Sequence, residues 1–105
     1  RPDSGIFGLS GIIHYRKGAY AEAAEDLSTC KNLMASQGHM ALQPEYALPL
    51  VDALSKVDRV DEALETALHT VRAYGSADAF AFARELAEKS SRDDLKRLVK
   101  RLENQ

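Results

Sequence analysis

Tryptophan is absent from this 105-residue chain, cysteine occurs once, and aromatic residues make up only 7% of the sequence. With so few large aromatics, Ala and Leu must fill the core. That composition suits closely packed helices better than a sheet, where β-branched and aromatic residues are enriched. The lone Cys30 excludes an internal disulfide and a Cys-rich zinc site. A single thiol fits a reducing compartment, so a cytoplasmic location is the expectation. No apolar run approaches the ~20 residues needed to span a bilayer, and no membrane partner is expected. Positive charge is also lacking: 14 basic and 16 acidic residues leave a formal charge of −2. General nucleic-acid binders carry a basic excess because phosphate neutralisation dominates their affinity, which argues against such a partner here.

What is present is an ordinary globular balance, 45% hydrophobic and 29% charged. The length suits one domain with one continuous core. The chain opens Arg1-Pro2-Asp3 without a Met, as expected of a piece of a longer protein.

Turn signals divide the sequence into six helix-length stretches. Asp3 or Ser4 caps a first helix that runs to about Lys17 and breaks at Gly18. A second runs from about Tyr20 to Ser36 and stops at Gly38, and Gly38 to Gln43 form a loop. Pro44 suits the first turn of a third helix. Pro49 within it predicts a kink, or a helix that properly begins near Leu48. Asp58 is expected to cap a fourth helix, with Asp61 and Glu62 placing negative charge at its positive end, and Tyr74-Gly75 closes it. Ser76 or Ala77 starts the fifth, which ends at Lys89-Ser90. Ser91 and Asp94 form a capping-box pattern for the sixth, whose Leu95, Leu98, Val99 and Leu102 make an amphipathic stripe. Short connections make consecutive helices antiparallel neighbours.

Internal repetition links these stretches. The first two helices carry Phe7-x2-Ser10-Gly11-x2-His14 and Ala23-x3-Leu27-x2-Cys30. The next two carry Ala47-x2-Leu50-Val51-x2-Leu54 and Ala63-x3-Ala67, and the last two Ala79-x2-Phe82-Ala83-x2-Leu86 and Leu95-x3-Val99-x2-Leu102. The pattern resembles the tetratricopeptide repeat, strongly in the first pair and progressively less after it. Gly11 and Ala23 stand where helix backbones approach closely. Ser10, His14 and Val51 depart from the family's usual Leu, Tyr and Gly. The spacing from Ala23 to Ala63 is 40 positions and from Ala63 to Leu95 it is 32, against ~34 in a regular array. The resemblance implies an all-α fold of three antiparallel helical hairpins, at about 4–37, 44–74 and 77–103, stacked as a right-handed α–α superhelix.

Chemistry is not evident. His14, His39 and His69 are scattered and form no helical two-His metal motif. His69 follows Glu65 by one turn, and a solvated helix histidine is the simpler reading. His14 and Cys30 occupy family positions that pack, which implies structural roles. Gly5-x2-Gly8-x2-Gly11 lacks the Gly-Lys-Ser/Thr of a phosphate loop and reads as close helix approach, with a loosened first turn. Lys96, Arg97, Lys100 and Arg101 fit an ordinary solvated face beside the negative end of the last helix. No enzyme activity, cofactor or metal is expected.

Binding is the expected function, as a scaffold or adaptor module for another protein or peptide. The resemblance places Gly8, Ile12, Tyr15, Arg16, Leu48, Asp52, Lys56, Phe80, Arg84 and Glu88 on the concave groove, with Ile12, Leu48 and Phe80 as apolar contacts. The carboxylate clamp of chaperone-binding members is not matched, because Gly8 and Ile12 stand in its place and the only asparagines are Asn32 and Asn104. One alternative is a pentatricopeptide-type RNA reader, suggested by Arg59-Val60-Asp61-Glu62-Ala63-Leu64. The other is a self-associating domain, a homodimer formed through apolar surface left open on the last helix.

Overall fold

The computed structural model describes residues 3–39 and 41–105; Arg1, Pro2 and Met40, the last within the expected Gly38–Gln43 loop, lie outside them. The described residues form six helices: α1 Ser4–Arg16, α2 Tyr20–Ser36, α3 Pro44–Lys56, α4 Val60–Tyr74, α5 Ala77–Ala87 and α6 Asp93–Glu103. No strand occurs among the described residues.

Local chemistry starts several of these helices. The Asp3 carboxylate accepts from the Gly5 N–H at 2.9 Å and caps α1, so the glycine-rich first turn is helical from Ser4. Ser76 accepts from Ala79 N–H and caps α5. Pro44 opens α3, where its missing N–H and fixed φ do no harm. Pro49 does not delay that helix to Leu48. It sits inside a continuous α3, where it forfeits one hydrogen bond near the N-terminus while Ala47, Leu50, Val51, Ala53 and Leu54 are all buried.

Two expected caps are not formed. Asp58 has a left-handed backbone, φ 62°, and terminates α3 rather than starting α4. Arg59 N–H reaches back to Leu54 C=O at 2.9 Å, the six-to-one bond of a Schellman turn. Gly18 and Gly38 make the same turn with φ 80° and 82°, closed by Ala19 N–H to His14 C=O and His39 N–H to Met34 C=O. Ser91 does not cap α6 either. Its hydroxyl donates to Asp61 Oδ2 at 2.8 Å, and Arg92 occupies the N-cap, where its side chain bonds Asp94 and caps no backbone N–H.

Contacts fix the directions of the helices. Cys30 and Leu27 of α2 face Gly8 and Gly11 of α1, so the two run antiparallel. Tyr46 of α3 touches Gly8, and Tyr15 bonds Asp52, so α3 runs parallel to α1. Each of α1 to α5 packs on its successor, and α5 on α6. The odd-numbered helices also touch one another, α1 on α3 and α3 on α5; of the even-numbered helices α4 touches α6, whereas α2 and α4 stand apart among the described residues.

One core runs through the stack. Ala23, Ala24, Leu27, Ala47, Leu50, Val51, Ala53, Ala63, Leu64, Ala67 and Ala83 are all fully buried within it. Small residues predominate, so the helices pack closely. Leu42, from the loop after α2, is also buried, and Tyr74 donates to Ala41 C=O at 2.8 Å. The loop is thereby held against the end of α4.

Candidate binding surface

Leu48, Asp52 and Lys56 recur every four residues along α3 and so form one stripe. Asp52 organises it. Tyr15 Oη of α1 donates to Asp52 Oδ2 at 2.6 Å, and Lys56 Nζ donates to Oδ1 at 3.1 Å. Lys56 also lies 5.2 Å from the centre of the Tyr20 ring, which meets the Tyr15 ring edge-on at 5.8 Å. The bond to Asp52, helped by burial and by the carboxylate's charge, pushes the Tyr15 phenol up to about 12. The same carboxylate raises the Lys56 ammonium above its ordinary value, first through the hydrogen bond and then through charge. Tyr15 is therefore a permanent donor and Lys56 a permanent cation near neutral pH. They are joined across two helices by one carboxylate.

The expected groove residues divide into four groups. Leu48 and Phe80 are half-buried and stand outside the core cluster, whereas Ile12 and Tyr15 pack against it. Arg16 is exposed at the end of α1. Arg84 on α5 and Glu88 at its C-cap are exposed, and Arg84 pairs with Glu103 of α6 at 3.1 Å. Gly8 is not a groove residue. It is buried, and an added Cβ would lie 3.2 Å from the Tyr46 ring and 3.4 Å from Cys30 Sγ.

A cleft of about 770 Å³ opens between α2 and α4. Its walls include Lys31, His39, Leu42, Glu65, His69 and Arg72. Of these, His39, Glu65 and His69 are weighed from sequence, but not as parts of a binding surface. The available signal was the 40-residue spacing, whose excess lies in the loop that forms one wall. A second cleft, of about 760 Å³, lies between α5 and α6 and includes Arg84, Glu88, Lys96, Lys100 and Glu103. Ile12, Leu48 and Phe80 line neither cleft.

The remaining candidates have plain structural roles. His14 Nδ1 and Ser10 Oγ both donate to Asp26 Oδ2, at 2.9 and 2.7 Å, and tie α1 to α2. Cys30 is buried, and burial raises its thiol above the ordinary value, away from the reactive thiolate. His39 and His69 are exposed. Among the described residues, no group of three or more His, Cys, Asp or Glu is placed to hold a metal, and no helix is long and apolar enough to cross a membrane.

No family model, curated protein or solved structure matches this chain.

Proposed function

We propose that the chain is a tetratricopeptide-type interaction module that binds a peptide segment of another protein across its odd-numbered helices. Three hairpins, α1–α2, α3–α4 and α5–α6, stack as a right-handed superhelix in this reading. Packing that continues across α1, α3 and α5, while in the other layer α4 touches α6 but α2 and α4 stand apart among the described residues, supports it, because the more open layer belongs on the outside of a bend. The matched turns at Gly18 and Asp58, 40 positions apart, support a shared hairpin design.

The observation that carries the reading is the position of Leu48 and Phe80. Both are left half-exposed outside the core, beside fixed charges at Asp52, Lys56 and Arg84. Apolar anchors flanked by oriented charges suit a short amphipathic helix or an extended peptide. Leu48 and Phe80 line neither cleft, which fits a peptide laid along the surface better than an enclosed small molecule. Mixed signs along the stripe and a net charge of −2 give no support to an RNA backbone as the ligand.

Peptide-display selection against the folded chain, followed by affinity measurement on variants, tests this proposal. A selected peptide should lose about tenfold or more in affinity with Leu48→Glu or Arg84→Glu, the scale of removing one anchor. Selected peptides indifferent to both changes, with helicity intact, would exclude this face.

A further inference from the structure

The apolar surface expected on α6 for self-association is not open: Leu95, Leu98 and Leu102 pack against the core. Ile6, Leu9 and Ile13 are exposed instead, on α1. The two clefts differ from both in carrying polar groups that can hold a ligand, and from each other in charge. The cleft between α5 and α6 is balanced, with Arg84, Lys96 and Lys100 against Glu85, Glu88 and Glu103, and Arg84 is already bonded to Glu103.

The cleft between α2 and α4 is not balanced. Lys31 and Arg72 line it against a single carboxylate among the described residues, Glu65, although the chain as a whole carries −2. Glu65 meets Arg92, which lies outside the cleft, at 3.6 Å. Glu62, which feels the Lys31 charge, is bonded by Arg59 at 2.7 Å. Among the described residues neither Lys31 nor Arg72 makes an ion pair. His39 and His69 add imidazole N–H donors, and His69 stands one helical turn before Arg72.

The floor supplies an independent sign. Thr66 and Thr70 sit one turn apart on α4, 6% and 1% exposed. Thr70 spends its hydroxyl on the Thr66 carbonyl at 2.9 Å, whereas the Thr66 hydroxyl has no partner among the described residues. Every fully enclosed polar side-chain atom among those residues is bonded. The small part of Thr66 left accessible therefore includes its oxygen, and Thr66 lines this cleft. An unspent, nearly buried hydroxyl at the bottom of a cationic cleft supplies a fixed donor to a ligand. Leu42 and Ala73 beside it are apolar.

We infer that this cleft binds a small organic phosphate, its anionic head held by Lys31, Arg72, His69 and Thr66 and its organic body lying on Leu42 and Ala73. A phosphate monoester brings three strong acceptor oxygens and close to two negative charges, matching two unpaired cations and several N–H and O–H donors. A carboxylate, with two oxygens and one charge, leaves donors unfilled. The volume of about 770 Å³ is that of a site for a metabolite-sized molecule. The cleft lies on α2 and α4, away from Leu48 and Phe80, so this inference and the peptide reading fail independently.

Titration of the 105-residue chain with phenyl phosphate, followed by backbone amide shifts, is the test. Amides around Ala35, Thr66, His69 and Ala73 should shift and saturate by about 10 mM. Benzyl alcohol, which lacks the anion, should leave them in place, and benzoate should bind more weakly. Arg72→Gln and Lys31→Gln should each weaken phenyl phosphate about tenfold or more, the scale of one bond to a charged group. Thr66→Val keeps the shape, removes only the donor and should weaken it by about threefold to tenfold. Helical circular dichroism should be unchanged in all three, and Leu48→Glu should bind phenyl phosphate like wild type. An absence of saturable shifts would overturn the inference. So would benzoate or benzyl alcohol binding as well as phenyl phosphate, or full affinity in Arg72→Gln and Lys31→Gln.

Discussion

Gly11 of α1 lies so close to Leu27 of α2 that a Cβ at position 11 would stand 2.5 Å from Leu27 Cγ and 3.3 Å from the Leu27 backbone nitrogen. No rotamer change of Leu27 relieves the second contact. In the following pair the sizes are exchanged: Val51 takes the place of Gly11 and Ala67 that of Leu27, both fully buried. The bulk at this crossing is supplied by one helix or the other.

Gly11→Ala should therefore destabilise the fold. Overpacking costs about 1–3 kcal/mol and outweighs the about 1 kcal/mol of helix propensity that Ala brings. In a Leu27→Ala background the same change should be neutral or stabilising, a coupling that a double-mutant cycle in urea would read. Gly8→Ala is the control. Its neighbours are a ring edge and a thiol that can shift, so its midpoint should equal or exceed that of wild type.

Asp58 pays a steric penalty at φ 62° that Gly18 and Gly38, in equivalent turns, do not. Asp58→Gly should raise stability by about 0.5–1 kcal/mol despite the greater freedom it gives the unfolded chain. An unchanged or lower thermal midpoint would show that the carboxylate has a stabilising role not evident in the structure.

Tyr15 gives a pH dependence of definite sign. Its pKa is raised from 10.0 to about 12, chiefly by donation to Asp52. The stabilisation is fully present below pH 10 and is lost as pH rises through 12. Tyrosinate absorbance should show one of the four tyrosines titrating late. Tyr15→Phe should remove that step and lower stability by about 1 kcal/mol, the scale of one hydrogen bond.

Asp61 acts in the opposite pH range. Ser90 and Ser91 donate to it at 2.6 and 2.8 Å, and the Ser91 N–H adds a third bond at 3.1 Å. These bonds, the Ser90 hydroxyl foremost, lower its pKa below the ordinary 3.8. The contribution is present above that value and disappears as pH falls through the lowered one. Amide protection in α6, relative to intrinsic exchange at each pH, should fall on acidification before protection in α3 does, and Asp61→Ala should show reduced α6 protection already at neutral pH.

Helix positions were legible because periodicity and breakers agreed: Tyr20 to Ser36 is α2 to the residue, and Gly75 closes α4 with a positive φ. The caps at Asp58 and Ser91 were not. A side chain that suits an N-cap also suits a left-handed turn or a distant carboxylate, and only the fold decides among these. The Tyr15–Asp52 bond spans 37 positions and depends on the relative directions of α1 and α3, which no local pattern encodes. The same holds for the cleft between α2 and α4. Its cause, the long loop, was visible, but its consequence required the packing. The open face of α1 was hidden by composition, since its apolar residues surround the helix and read as core on every side.

Backbone amide shift mapping with a display-selected peptide tests the binding account most directly. The account predicts that saturating peptide moves amides around Ile12, Leu48, Asp52, Phe80 and Arg84 while leaving those around Ile6, His39 and His69 in place. Shifts confined to the cleft of Lys31, His69 and Arg72, or to the Ile6–Ile13 face, would contradict it.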